Sequence, residues 1–220
     1  MLVQFSVGNH SSFKDTQTFS MEATTVKAPP EFDWLDTDNL FSPANFTTLL
    51  RSSAVYGANA SGKSNFIASI GWMRNFIMRS FSSSSDARIP INRFLFSTTL
   101  RDQPSFFEMV FIIDSIQYRY GFEVTSKEVI SEWLYRKVER ETLLFSRNKL
   151  KLEIHSGFPE GPLRRDFVRE NALFLSTCSQ LTKKESISRE ITNWFADSLK
   201  LVSGLDDRGF RQLTYKHLQD

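Results

Sequence analysis

One cysteine, Cys178, occurs in 220 residues. A single thiol excludes an internal disulfide framework and any cysteine-cluster metal site, and a small buried side chain is its default role. Histidine is also scarce. His10, His155 and His217 are scattered and form no H-x-x-x-H pair of the kind that holds zinc on a helix. No apolar run approaches the roughly 18 residues of a membrane span. The opening stretch, MLVQFSVGNHSSFKD, has no basic region followed by an apolar core and a cleavage site. A cytoplasmic chain without a membrane partner is therefore expected. Net charge is only +2, so the overall balance does not by itself select nucleic acid.

What the chain does contain is an ordinary globular balance, 40% hydrophobic and 24% charged, with 21 phenylalanines. That suits one substantial domain, or one with an appended lobe, whose surplus aromatics fill a core or a face covered by a partner. Charge is unevenly spread. Residues 1–50 carry Lys14 and Lys27 against six acids, whereas residues 51–100 carry Arg51, Lys63, Arg74, Arg79, Arg88 and Arg93 against Asp86 alone. A basic block of this kind attracts polyphosphate or a nucleic-acid backbone, or forms a solvated helix face.

At the head of that block stands Gly57-Ala58-Asn59-Ala60-Ser61-Gly62-Lys63-Ser64, which meets G-x-x-x-x-G-K-[ST] at every fixed position. The two glycines allow backbone angles and close approach that a side chain would obstruct. Successive N–H groups can then point at phosphate oxygens. Lys63 supplies a charge for the β- and γ-phosphates, Ser64 a hydroxyl for Mg²⁺, and the helix that follows presents its positive end to the anion. The motif needs a strand before it and a helix after it. TLLRSSAVYG reads as a buried strand running into the loop, and Phe66, Ile67, Ile70, Met73, Phe76 and Ile77 recur at helical spacing. ATP and Mg²⁺ are the expected ligands, held by residues 57–65.

Elsewhere, LVQFSV alternates as a strand and QTFSMEAT continues it. Residues 27–46 read as a loop. Asp36 and Asp38 in it have calcium-loop alternation but lack the glycine of the sharp turn. The serine-rich stretch 80–88 ends the helix as a polar connection. SFFEMVFIID and IQYRYGFEVT predict a hairpin around Asp114–Ser115. VISEWLYRKV, ETLLFSRN and KLKLEIHSG extend it into an antiparallel meander. LRRDFVREN predicts a short helix and ALFLST a buried strand or helix start. Helical spacing returns from about Lys183, with Ile187, Ile191, Trp194 and Phe195 on one side. Arg164-Arg165 and Lys183-Lys184 read as solvated surface, with a nucleic-acid backbone as the alternative.

The loop GANASGKSN, with Asn59 inside it and Asn65 after the hydroxyl, is similar to the G-x-N-G-x-G-K-S-N loop of the ABC-like ATPase heads of SMC, RecF and OLD proteins. Asn9-His10-Ser11-Ser12-Phe13 resembles that group's N-F-R-S-F element, with Ser11 replacing its arginine. FFEMVFIIDSIQYRYGFEV, SEWLYRKVERETLLFSR and RENALFLSTCSQL look like AAA-family ATP-binding proteins of bacterial phage-defence and abortive-infection systems, over most of the chain to about residue 182. The resemblance implies an α/β P-loop ATPase lobe: strand, loop, P-loop and helix over 1–80, an antiparallel β-layer over 100–160, and the helical start of a further lobe over 183–220. It implies a second head as partner, an effector such as a nuclease, and a glutamine on Mg²⁺ and the attacking water, for which Gln180 is the candidate beside Lys63.

Hydrolysis in this class also needs carboxylates, in the resembled family an apolar strand ending Asp-Glu. MVFIID ends at Asp114 but continues with Ser115, and its flanks read as a hairpin, so Asp114 is taken as a turn residue. LVSGLDD holds Ser203-Gly204 without the family's L-S-x-G-x-x surroundings. The expectation is an incomplete ATPase lobe of a defence system. A DNA-repair or chromosome-maintenance clamp and a non-hydrolysing, nucleotide-dependent scaffold stand as alternatives.

Overall fold

The computed structural model describes residues 1–26, 29–32, 38–43, 46–182 and 185–202. Asp36, Lys183-Lys184 and Ser203-Gly204, and the readings attached to them, lie outside these residues. The strands are β1 (Leu2–Gly8), β2 (Gln17–Ser20), β3 (Leu40–Phe41), β4 (Leu49–Leu50), β5 (Ser105–Ile113), β6 (Ile116–Val124), β7 (Val129–Lys137), β8 (Glu141–Asn148) and β9 (Lys151–Ile154). The helices are α1 (Lys63–Arg79), α2 (Phe174–Leu181) and α3 (Ile187–Asn193), the last running into a π-helical turn, Trp194–Ser198. Of LRRDFVREN, expected as a short helix, only the part to Phe167 is helical, within a 3₁₀ helix Pro162–Phe167.

Seven strands form one sheet in the order β2-β1-β5-β6-β7-β8-β9, antiparallel throughout. The expected meander is present, and β1 joins it directly by pairing with β5. Asp114 and Ser115, with φ of 43° and 62°, form the β5–β6 turn, where a two-residue hairpin needs positive φ at both positions. Alternation places the largest apolar side chains on one face. A single row of cross-strand partners, Phe5, Met109, Tyr120, Leu134 and Phe145, runs across five strands. All five are fully buried.

Helix α1 lies on this face, burying Ile70, Met73, Phe76 and Ile77; of the other two residues its periodicity marks, Phe66 is half-buried and Ile67 exposed. Helix α2 packs against the last turn of α1, where the Ser176 hydroxyl donates to the Ile77 carbonyl at 2.5 Å and accepts from Ser80 at 3.0 Å. Its first turn is held by a fully buried carboxylate. Glu132 of β7 accepts from the N–H groups of Phe174 (2.7 Å) and Leu175 (3.0 Å) and from the Tyr120 hydroxyl (2.9 Å). Arg147 of β8 stands 3.4 Å away and donates to the Ala172 and Arg169 carbonyls. Burial pushes the Glu132 carboxyl up and the Arg147 guanidinium down.

One expectation fails. The stretch SSAVYG is not a buried strand: β4 ends at Leu50, and residues 51–58 form no regular structure and are exposed throughout. Among the described residues β4 pairs with β3 and is bridged by Leu49 to Glu22, but no strand flanks 53–56 to take up its N–H and C=O groups. Strand propensity without a neighbouring strand leaves a solvated, extended chain.

Candidate functional site

Strand propensity ends at Tyr56 and the backbone then turns sharply. Ala60 takes φ of 62°, and the Ser61 N–H closes a turn on the Ala58 carbonyl at 3.2 Å. Gly62, at φ +97°, is the residue before α1, a conformation that other residues rarely adopt. A methyl group there would also stand 2.9 Å from the Ser12 hydroxyl, and one on Gly57 would stand 2.7 Å from the Ser61 hydroxyl. Gly62 is thus favoured by its backbone angle, and a side chain at either glycine would displace a serine hydroxyl packed against it.

The first helical amide to find a backbone acceptor is Phe66, which donates to the Gly62 carbonyl at 2.9 Å. The N–H groups of Gly62, Lys63, Ser64 and Asn65 precede it without a backbone acceptor among the described residues. Four free donors at the positive end of a 17-residue helix make an anion cradle. Residues 59–65 line a cleft of about 480 Å³ at this point. The Lys63 ammonium folds over the loop, donating to the carbonyls of Gly57 and Ala58 at 2.7 Å each and approaching the Ser61 hydroxyl at 3.5 Å. A phosphate oxygen would offer that ammonium stronger, charged acceptors.

Beside the cradle is a slot of about 230 Å³ that no local sequence signal marked. Phe13, Phe19, Tyr56 and Phe66 line it together with Gln17 and Thr18, and it shares Ser61, Gly62 and Lys63 with the loop. Its aromatics come from three separate segments, so only the fold assembles them. The Asn9–Phe13 element backs onto the loop from the same side. Phe13 meets Phe66 edge-on at 6.2 Å, and His10 is buried between Trp72 and Phe107. Burial lowers the His10 pKa to about 4, so the ring is neutral. Ser11, at the position of the resembled family's arginine, uses its N–H on the Asn92 carbonyl at 2.7 Å.

The other predicted site residue is elsewhere. Gln180 is exposed in the last turn of α2, and the neighbouring Leu181 carbonyl accepts from Arg164 at 2.6 Å. It does not line the loop cleft or the slot, and α2 packs on the end of α1 away from Lys63. Asp114 sits in its hairpin turn. Burial, and then the Asp114 charge, raise the Glu190 carboxyl of α3, which places Asp114 beside α3. Cys178 is buried and its thiol is pushed up by desolvation. Among the described residues no group of three or more His, Cys, Asp or Glu is placed to hold a metal, and no helix is long and apolar enough to cross a membrane.

A family described as "AAA domain, putative AbiEii toxin, Type IV TA system" matches residues 52–175, more than half of the chain. The chain belongs to that family. The matched span contains the whole glycine loop, α1 and β5 through the start of α2, and it stops short of Gln180. No curated protein matches the chain.

Proposed function

We propose that the chain is the nucleotide-binding lobe of a P-loop ATPase that acts in bacterial antiphage or abortive-infection defence. The observation that carries the nucleotide reading is the row of free amides from Gly62 to Asn65, with the Lys63 ammonium folded across the loop. In this reading residues 57–65 hold the triphosphate and the ammonium leaves the Gly57 and Ala58 carbonyls for the β/γ-phosphates. The Ser64 hydroxyl becomes a ligand of Mg²⁺. When bound, Mg²⁺ neutralises phosphate charge and fixes the geometry of the chain of oxygens. The nucleobase rests in the aromatic slot, where Gln17 and Thr18 offer polar contacts. Pairing of two such lobes, with ATP between them, would then control an effector such as a nuclease.

Titration of the folded protein with Mg·ATP in a calorimeter tests the nucleotide reading. Lys63→Ala is expected to weaken binding at least tenfold, and equal affinity in the folded variant overturns it. A second reading, nucleotide-gated assembly without turnover, is favoured by a specific observation: the residues lining the loop cleft include no carboxylate. Phosphate release by the chain above that of the Lys63→Ala variant excludes it.

A further inference from the structure

The segment from the end of α1 to β5 carries two clefts unrelated to the cradle. One, of about 410 Å³, lies between the last turns of α1 and residues 83–90, with Arg79 and Arg88 at its rim and Trp72 and Phe76 in its wall. The other, of about 700 Å³, is formed by residues 93–98 with Arg101. Neither is lined by a carboxylate. The ion pairs among the described residues, formed by Arg119, Arg147, Lys149 and His155, all lie on or beside β5 to β9. Arg79, Arg88 and Arg101 make no side-chain hydrogen bond or ion pair among the described residues, and Arg93 spends one N–H on the Arg101 carbonyl.

Between these arginines the loop displays large apolar side chains. Leu95 is 86% and Phe96 92% exposed, and Phe94 meets Phe96 edge-on at 6.0 Å. The loop is held at both ends. The Asn9 side-chain amide donates to the carbonyls of Leu100 (3.1 Å), Gln103 (2.9 Å) and Pro104 (3.2 Å), and the Asn92 carbonyl accepts from Ser11. A pinned loop loses little further entropy on docking.

We infer that the strip from Arg93 to Arg101, which carries no carboxylate, is a binding surface for single-stranded nucleic acid. Guanidinium groups free of carboxylate partners suit a phosphate backbone, the exposed Phe96 ring suits an unstacked base, and Ser97 and Thr98 add hydroxyl donors for phosphate oxygens. A protein partner would favour a closed apolar pocket with charges at its rim; here two arginines flank exposed apolar and hydroxyl side chains within one short loop. The inference stands apart from the nucleotide reading, because the strip shares no residue with the cradle.

Fluorescence anisotropy of a labelled 20-nucleotide oligo-dT and a mixed-sequence RNA of equal length, titrated with the full chain without ATP, tests it. Binding should weaken with salt along a log–log slope of about −2, the value for roughly three neutralised phosphates on a single strand. Phe96→Ala should weaken it at least about fivefold through lost stacking. The Arg93→Glu/Arg101→Glu pair should abolish it, whereas Lys151→Glu on β9 should leave it unchanged. Circular dichroism and thermal unfolding confirm that each variant is folded. Absence of binding overturns the inference, as does preference for duplex of the same length. Heparin competing equally with no effect of Phe96→Ala would reduce the strip to a basic surface. Phe96-dependent capture of poly-glutamate in place of the oligonucleotides would assign it to an acidic protein instead.

Discussion

At the scale of single residues, His10 shows how a side chain near the loop can serve the fold without chemistry. Its ring is nearly inaccessible, edge-on to Phe107 at 5.0 Å and tilted against Trp72 at 5.8 Å, and its Nδ1 has no partner among the described residues. A proton there would be a buried, uncompensated charge, which is why the folded pKa falls from 6.5 to about 4. The unfolded chain therefore binds this proton more readily between those values. Stability should be complete at pH 7 and decline as pH falls through 6.5 toward 4, by up to about 2 kcal/mol between pH 7 and pH 5. His10→Phe keeps the ring contacts and removes the titration. Urea midpoints at pH 7 and pH 5 should differ less in that variant than in the wild type; an equal difference assigns the acid sensitivity to other groups.

Among the elements, the attachment of α2 rests on one carboxylate. Glu132 satisfies two of the orphan amides of α2 and neutralises Arg147, and both side chains are fully buried. Glu132→Ala would leave a buried guanidinium and bare helix amides, a loss of about 3–5 kcal/mol. Glu132→Leu combined with Arg147→Leu should be clearly less costly than the sum of the single changes, because neither partner is then left stranded. Additive losses in urea unfolding would show that the pair does not act as a unit. This clasp was not legible in the sequence: alternation puts Glu132 on the face of Leu134, but the amides and guanidinium that satisfy it come from other segments. Strands β5 to β9 and helix α1 were legible, since alternation and the 3.6-residue period are local and each has a large face to bury. The stretch SSAVYG misled for the complementary reason: propensity describes a residue's preference, and pairing requires a neighbour that sequence does not place. The glycine loop was legible because its geometry is set by adjacent residues. The aromatic slot was not, because Phe13, Phe19, Tyr56 and Phe66 meet only after folding.

For the whole molecule, these facts predict a gradient of order that nucleotide should reshape in one place. The sheet and the buried face of α1 form a continuous apolar core, whereas residues 51–58 are exposed, with Val55 53% and Tyr56 90% accessible. Without ligand, amide hydrogen exchange should be slowest in β5, β6 and β7 and fastest in 51–58. Mg·ATP should slow exchange over 59–66, where the free amides gain phosphate acceptors, and Lys63→Ala should remove that protection. The same experiment tests Gln180. A glutamine that contacts the nucleotide would tie the end of α2 to the loop, so peptides covering 176–182 would slow together with 59–66. The separation of α2 from the cradle, at opposite ends of α1, predicts that they remain unchanged. Joint protection would instead mean that α2 moves to meet the nucleotide, a displacement that has to break the Ser176–Ile77 and Glu132–Leu175 bonds now holding it.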